Sequence, residues 1–152
     1  MSVIDDLTAA VEFYPKSNVQ IQIEDVEFPG DVLNVDEEGT FKVRVTNNGP
    51  LNLTDVSVKI KGLNGVQVRV GPPILGYSDE SEASIVDVAG DGGSVLSTTL
   101  FFKAPGKPSS APEDLFKVSL HDWNATLDRI LNDHTDPVGT VNDVFTAEVA
   151  NL

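Results

Sequence analysis

The segment that decides the fold is Thr40-Phe41-Lys42-Val43-Arg44-Val45-Thr46-Asn47-Asn48-Gly49-Pro50. Apolar side chains at positions 41, 43 and 45 alternate with polar ones at 42, 44 and 46, which is typical of a strand with one buried face. The strand ends at four consecutive turn-forming residues, 47–50. The segment therefore predicts a β-strand that covers a hydrophobic core.

The same period of two recurs along the chain and predicts an all-β protein. Further strands are expected near residues 19–28, 56–60, 66–70, 85–88, 95–103, 115–120 and 141–149. Turn residues separate them, and no long helical segment alternates with them. Sheets with one apolar face must cover that face with another layer. We predict an immunoglobulin-like antiparallel β-sandwich of seven or eight strands.

Local signals add detail to this prediction. Asp25 interrupts the alternation of the first strand, which indicates a bulge or bend. Gly62-Leu63-Asn64-Gly65 predicts a hairpin between 56–60 and 66–70. Residues 79–82 predict a short acidic loop. Residues 123–132 carry both helical spacing and strand alternation, and we favour a short helical turn there.

The first residues show helical spacing instead. Residues 2–14 place apolar side chains at intervals of three and four, and Pro15 is expected to end this helix. We predict an N-terminal amphipathic arm over residues 1–15, followed by a sandwich domain over 16–152. The arm either folds back on the domain or docks on a partner or a second copy through Val3, Leu7, Val11 and Tyr14.

Composition narrows the classes of function. The 152 residues contain 24 acidic and 10 basic side chains, a formal net charge of −14, and no cysteine. This charge disfavours nucleic acid and anionic lipid as partners, and the absence of cysteine excludes disulfides and thiolate sites. No apolar run exceeds three residues, which predicts no membrane insertion. Acidic residues at 5, 6 and 12 argue against a signal peptide, so the chain avoids the secretory route or is a piece of a longer protein.

The strand of residues 40–50 and the following Leu53-Thr54-Asp55-Val56-Ser57-Val58 resemble bacterial and archaeal immunoglobulin-like modules of the CARDB kind, and more loosely fibronectin-III-like modules. Lys117-Val118-Ser119-Leu120 fits the same pattern more weakly. The resemblance implies a non-catalytic module of surface and adhesion proteins, located extracellularly, on the cell surface or on a particle exterior. It brings no catalytic residues with it.

Signals for catalysis are weak. His121 and His134 are the only histidines, and their separation matches no compact metal-ligand spacing. Gly76-Tyr77-Ser78-Asp79-Glu80 lacks the second glycine of a nucleophile elbow. Acidic residues nevertheless gather at 36–38, 79–82, 87–91 and 133–136, and hard cations such as calcium bind loops of this kind. A calcium site would first involve Asp87 and Asp91; a solvated acidic surface is the alternative.

Two aromatic residues are candidates for sugar binding. Trp123 is the sole tryptophan, and Tyr77 lies among turn residues. Trp123 is also a candidate core residue, because sandwiches tend to bury one large ring. We predict a non-catalytic structural or adhesive module that binds a protein partner or assembles with itself, without a required cofactor. A phage or virus particle protein and a calcium-dependent carbohydrate-binding module are the alternatives.

Overall fold

The computed structural model describes residues 14–127, 130–136 and 139–151. A short helix, α1 (Tyr14–Asn18), precedes a series of strands. The strands are β1 (Val19–Glu27), β2 (Leu33–Asn34), β3 (Glu38–Asn47), β4 (Leu53–Gly62), β5 (Gln67–Arg69), β6 (Glu80–Val88), β7 (Gly93–Leu96), β8 (Leu100–Lys103), β9 (Glu113–Leu120), β10 (Asp122–Leu127), β11 (Ile130–Thr135), β12 (Asn142–Ala147) and β13 (Val149–Ala150).

These strands form the predicted immunoglobulin-like β-sandwich. One sheet has five strands in the order β1-β3-β8-β5, with β7 also pairing with β3. The other has six strands in the order β11-β10-β4-β9-β12, with β6 on the opposite edge of β4. Pairing within both sheets is antiparallel, and β2 and β13 form a separate parallel pair. The described strands outnumber the seven or eight expected for two reasons. Two predicted strands are each broken in two, 95–103 into β7 and β8 and 141–149 into β12 and β13, and β2, β10 and β11 were not predicted as strands.

The core lies between the two sheets. The apolar face of β3 and the apolar face of β4 are fully buried, as their alternation predicted. Four phenylalanine rings join the layers: Phe41 and Phe102 from the five-stranded sheet, and Phe116 and Phe145 from the six-stranded sheet. The closest pair, Phe41 and Phe116, has ring centroids 4.4 Å apart. Tilted ring pairs at such distances stabilise a core beyond the area they bury.

A buried polar cluster fixes the N-terminal end of the sandwich. The Asn47 side chain is fully buried; its Oδ1 accepts hydrogen bonds from Tyr14 Oη at 2.7 Å and from the Gly49 amide at 3.3 Å. Its Nδ2 donates to the carbonyls of Leu51 and Val88. A buried amide is tolerated only when its donors and acceptors are satisfied. Asn47 therefore joins α1, the 48–51 turn and the end of β6.

Two predictions about the N-terminal region are wrong. Pro15 does not end a helix, since α1 continues through it to Asn18; the rest of the predicted 2–14 helix lies outside the described residues. Tyr14 is not an exposed docking residue, since it is buried and packs 6.5 Å from the Trp123 ring, centroid to centroid. Val3, Leu7 and Val11 lie outside the described residues, so their docking role stays a prediction.

The helical turn favoured near residues 123–132 is also wrong. β10 and β11 pair in register from Asp122 with Thr135 to Leu127 with Ile130, and β10 pairs with the start of β4. Trp123 and Ala125 are both buried, which matches the strand alternation that the sequence also carried. The backbone of this segment forms strand hydrogen bonds with the edge of β4. This tertiary contact decides between helical spacing and strand alternation, which the local sequence supports equally.

Three expectations about strand connections have different outcomes. The bulge near Asp25 is confirmed by a register shift between Glu24 and Glu27 and by a positive φ at Asp25. The 56–70 hairpin is wrong, because β4 and β5 lie in different sheets. The acidic loop at 79–82 is mostly strand, since β6 begins at Glu80 and pairs with β4.

Replacing Tyr14 by phenylalanine tests the polar cluster. The variant leaves Asn47 Oδ1 and the Leu51 amide without the tyrosine hydroxyl, and we expect the free energy of unfolding to fall by about 1–2 kcal/mol. Urea denaturation monitored by Trp123 fluorescence measures this change. An unchanged unfolding midpoint would show that the cluster contributes no stability.

Candidate protein-interaction site

The loop of residues 71–79 presents two large apolar side chains to solvent. Ile74 is 89% exposed and Leu75 is 68% exposed, on a 3-10 turn (Pro73–Leu75) that follows β5. Single exposed apolar residues are common, whereas two adjacent ones at the tip of a loop are typical of a contact surface. We call Ile74 and Leu75 the apolar tip.

The backbone beneath the apolar tip is held in one conformation. Pro72 and Pro73 restrict the backbone that enters the turn, and the Leu75 and Gly76 amides donate to the carbonyls of Pro72 and Pro73, both at 3.0 Å. Gly76 leaves the turn with φ of 68°, a left-handed conformation that glycine adopts without strain. A backbone held in this way loses little further conformational entropy when the loop binds.

The end of the loop is attached to both sheets. Ser78 and Val68 of β5 exchange two backbone hydrogen bonds, at 2.8 and 2.9 Å. Ser78 Oγ donates to the Glu80 carbonyl, and the Gly62 amide donates to the Asp79 carbonyl at the end of β4. These bonds also occupy part of the free edge of β5.

An arginine lies between two aromatic rings under this loop. The Arg69 guanidinium carbon is 4.2 Å from the centroid of Phe101 and 5.2 Å from that of Tyr77. Only 8% of Arg69 is exposed, and its Nε is buried without a hydrogen-bond partner in the described structure. The stack binds Tyr77, and with it the loop, to the face of the five-stranded sheet.

The surroundings of Tyr77 affect its ionisation. Burial raises the pKa of Tyr77 above its ordinary value of 10.0, and the negative charge of Glu38 raises it further. The Arg69 charge partly opposes this rise by favouring the phenolate. The hydroxyl is therefore neutral throughout the physiological range.

The two residues predicted to bind sugar do not form one surface. Trp123 is fully buried in the six-stranded sheet, so its core alternative is confirmed and its assignment to an exposed sugar-binding face is wrong. Tyr77 is half-buried against Arg69 beside the other sheet. A sandwich fills the space between its layers with its largest ring, and the ring cannot then reach a ligand outside.

Among the described residues, no group of potential ligands forms around the candidate calcium-binding residues Asp87 and Asp91. Asp87 lies in β6 and Asp91 in the turn before β7, and both are exposed. In the described part of the chain, no three histidine, aspartate or glutamate side chains are grouped so that they could hold a metal ion. Calcium binding through Asp87 and Asp91 stays a prediction.

The histidines have different positions. His121 Nε2 lies 3.1 Å from Glu82 Oε1 and 3.5 Å from Asp122 Oδ2, so carboxylates surround it on the outer face of the six-stranded sheet. His134 lies in β11 opposite Trp123, and its side chain is outside the described part of the structure. A metal site shared by the two histidines stays a prediction.

Neither the apolar tip nor Arg69 was predicted from the sequence. The signal for the tip was present, since an Ile-Leu pair lies inside the turn segment Gly71-Pro72-Pro73-Ile74-Leu75-Gly76, where buried residues are not expected. Arg69 had no such signal. Strand alternation places it on the outer face of β5, and only the folded loop buries it there.

Comparison with known proteins identifies no family. No family model matches the chain, and no curated protein matches it. Among solved structures, the chain is similar to the seventh ScaB type I cohesin of Pseudobacteroides cellulosolvens, with 9% identity, a TM-score of 0.42 and coverage of 86% of this chain and 93% of that one. It is also similar to the ASH/PapD-like domain 7 of human CEP192, with 11% identity, a TM-score of 0.37 and coverage of 91% and 87%.

A third similar structure is the sporulation control protein Spo0M of Bacillus subtilis, with 13% identity and a TM-score of 0.30, covering 89% of this chain and 50% of that one. Similarity at these levels assigns neither a family nor a partner. The CARDB-like relationship stays a prediction. Among the described residues, no helix has the length and apolar character needed to cross a bilayer.

Replacing Arg69 by methionine tests whether the stacked arginine stabilises the fold. The stack contributes about 2 kcal/mol when desolvated, and the unpaired Nε costs about 1–3 kcal/mol. Because these terms nearly cancel, we expect the free energy of unfolding of Arg69→Met to stay within about 1 kcal/mol of the wild type. A much larger loss in urea denaturation would show that the arginine is a structural requirement.

Stability should fall in alkaline solution. The raised pKa of Tyr77 means that the folded protein keeps a proton that the unfolded chain loses above pH 10.0. This stabilisation is complete below that pH and is lost as the pH rises through the folded value. The unfolding midpoint, measured from about pH 8 to 11, should decline less steeply for Tyr77→Phe than for the wild type. Equal slopes would contradict the assignment.

Proposed function

We propose that this chain is a non-catalytic protein-interaction module that binds its partner through the apolar tip. The observation that carries the proposal is the exposure of Ile74 and Leu75 on a turn restricted by two prolines, in a loop whose end at Ser78 and Asp79 is hydrogen-bonded to both sheets. A rigid apolar projection is suited to inserting into a pocket of another protein, because little conformational freedom is lost on binding.

The partner has an apolar pocket bordered by lysine or arginine side chains. The loop that carries the tip ends at the exposed Asp79, Glu38 lies close to Tyr77, and the whole chain carries a net charge of −14. Complementary charges speed association and exclude wrong partners. The same charge opposes binding between two copies of this chain, so the partner is a different, basic protein.

The setting of this module is a surface or extracellular assembly, either at the cell exterior or on a particle. The CARDB-like strand pattern of residues 40–58 supports this setting. The acidic surface supports the same setting, because its charge keeps the protein soluble while loops and strand edges remain exposed to a partner.

A crosslinking experiment followed by affinity measurement tests the proposal. A photoreactive amino acid at position 74 should give one discrete product in extracts of the source organism. The same amino acid at position 86 should not, because Val86 is exposed but lies in the other sheet. The captured protein is then purified and its Kd for the whole chain is measured.

The variant Ile74→Ser/Leu75→Ser should raise that Kd at least about tenfold, because the apolar contact is lost while the charge is unchanged. The matched control Val86→Ser should leave the Kd unchanged, and added salt should weaken wild-type binding. Both variants should unfold at the wild-type urea midpoint, since the replaced side chains are exposed. No product from position 74, or an unchanged Kd in the double variant, would refute the proposal.

A further inference from the structure

The outer face of the six-stranded sheet carries a ladder of charges across three strands. Glu80 and Glu82 lie on β6, Lys59 and Lys61 on β4, and Lys117 on β9. Register places Glu80 directly opposite Lys61, and Glu82 directly opposite Lys59. Direct pairing across the strands would neutralise both lysines of β4.

The observed ion pairs are diagonal instead. Glu80 Oε1 lies 3.4 Å from Lys59 Nζ, and Glu82 Oε1 lies 3.1 Å from His121 Nε2. Glu80 thus contacts the lysine two residues away from its register partner on β4, and Glu82 reaches past β4 to His121, the residue after β9. In the described part of the chain, Lys61 and Lys117 consequently form no ion pair.

These two lysines are also direct cross-strand partners. Lys61 of β4 is in register with Lys117 of β9, and like charges in this position repel. The chain has 24 acidic residues against 10 basic ones, so unneutralised neighbouring lysines are unexpected in it. Two lysines in direct register without a carboxylate partner are a candidate position for an external anion.

A cleft surrounds this position. Lys61 and Lys117 line a cavity of about 420 Å³ together with Lys59, Ser119 and Gly139. A methyl group placed on Gly139 would lie 3.7 Å from Lys117 Nζ and 3.8 Å from Ser119 Oγ, so the backbone there closes over the cleft. Two acids border the cleft. Glu80 forms an ion pair with Lys59, and Asp136, which is in no ion pair among the described residues, accepts hydrogen bonds from the Thr140 hydroxyl and, at 2.9 Å, from the Val141 amide.

We propose that this cleft binds a tetrahedral oxyanion, a phosphate or sulfate group, between Lys61 and Lys117. Lys61 and Lys117 supply ammonium donors, and the hydroxyl of Ser119 supplies a neutral one. The cavity is larger than such an anion, which leaves room for the organic group that carries it. This site lies on the outer face of the six-stranded sheet and is independent of the apolar tip.

Titration of the whole chain with sodium phosphate and, separately, with sodium sulfate tests the proposal, with sodium chloride at equal ionic strength as the reference. Amide NMR signals of residues 59–61 and 117–119 should shift in a saturable way with at least one oxyanion, and not with chloride. The oxyanion that binds more tightly distinguishes a phosphate from a sulfate ligand. Saturation by neither one would refute the proposal.

Variants of single lysines distinguish oxyanion binding in the cleft from a general effect of the protein's net charge. Lys61→Gln and Lys117→Gln should each weaken oxyanion binding about tenfold, whereas Lys117→Arg should retain it. Lys42→Gln, the same charge change on the five-stranded sheet, should have no effect. Neither Lys61→Gln nor Lys117→Gln should lower the unfolding midpoint, because each removes a repulsion. Equal weakening by Lys42→Gln would mean a nonspecific charge effect and would overturn the proposal.

Discussion

Burial of the apolar faces of β3 and β4 in one core between the two sheets is the constraint on which the remaining structure depends. Both are central strands: β3 has β1 on one edge and β7 and β8 on the other, while β4 is bordered by β6, β9 and β10. Their outward side chains are polar, so each sheet has only one face that must leave water. Two layers then suffice, and the phenylalanine cluster fills the space between them.

This arrangement leaves the surface available for binding. The core contains Trp123 and the phenylalanine cluster, while the described titratable side chains lie mainly on loops and outer faces. Recognition elements therefore sit on a rigid support, as the 71–79 loop shows. Its tip is exposed, but its end is bonded to β4 and β5, and its tyrosine is stacked on Arg69. A loop held in this way combines accessibility with a fixed shape.

Charge is distributed unevenly over this surface. Excess acid surrounds the sandwich, yet the diagonal pairing of Glu80 and Glu82 leaves two lysines of the six-stranded sheet unneutralised. Net charge alone disfavours anionic ligands, whereas the local arrangement at Lys61 and Lys117 favours one. The difference arises because screening limits the reach of distant carboxylates to about 8–10 Å at ordinary salt, and neighbouring groups then dominate.

The sequence by itself determined most of the strand segments and which side chains of β1, β3, β4 and β9 face the core, because alternation is a local property of an extended chain. It did not determine which strands pair with one another or which side chains meet in the folded chain. β4 and β5 were assigned to one hairpin and residues 123–132 to a helical turn, while Tyr14 was left open between docking and folding back on the domain. Each outcome depended on a distant strand edge or on the buried Asn47. The stacking of Arg69 and the register of Lys61 with Lys117 were decided only by tertiary structure, whereas the apolar tip had a local signal in its Ile-Leu pair. Cross-strand register and loop placement bring together residues that are far apart in the chain, and local periodicity carries no information about such distances.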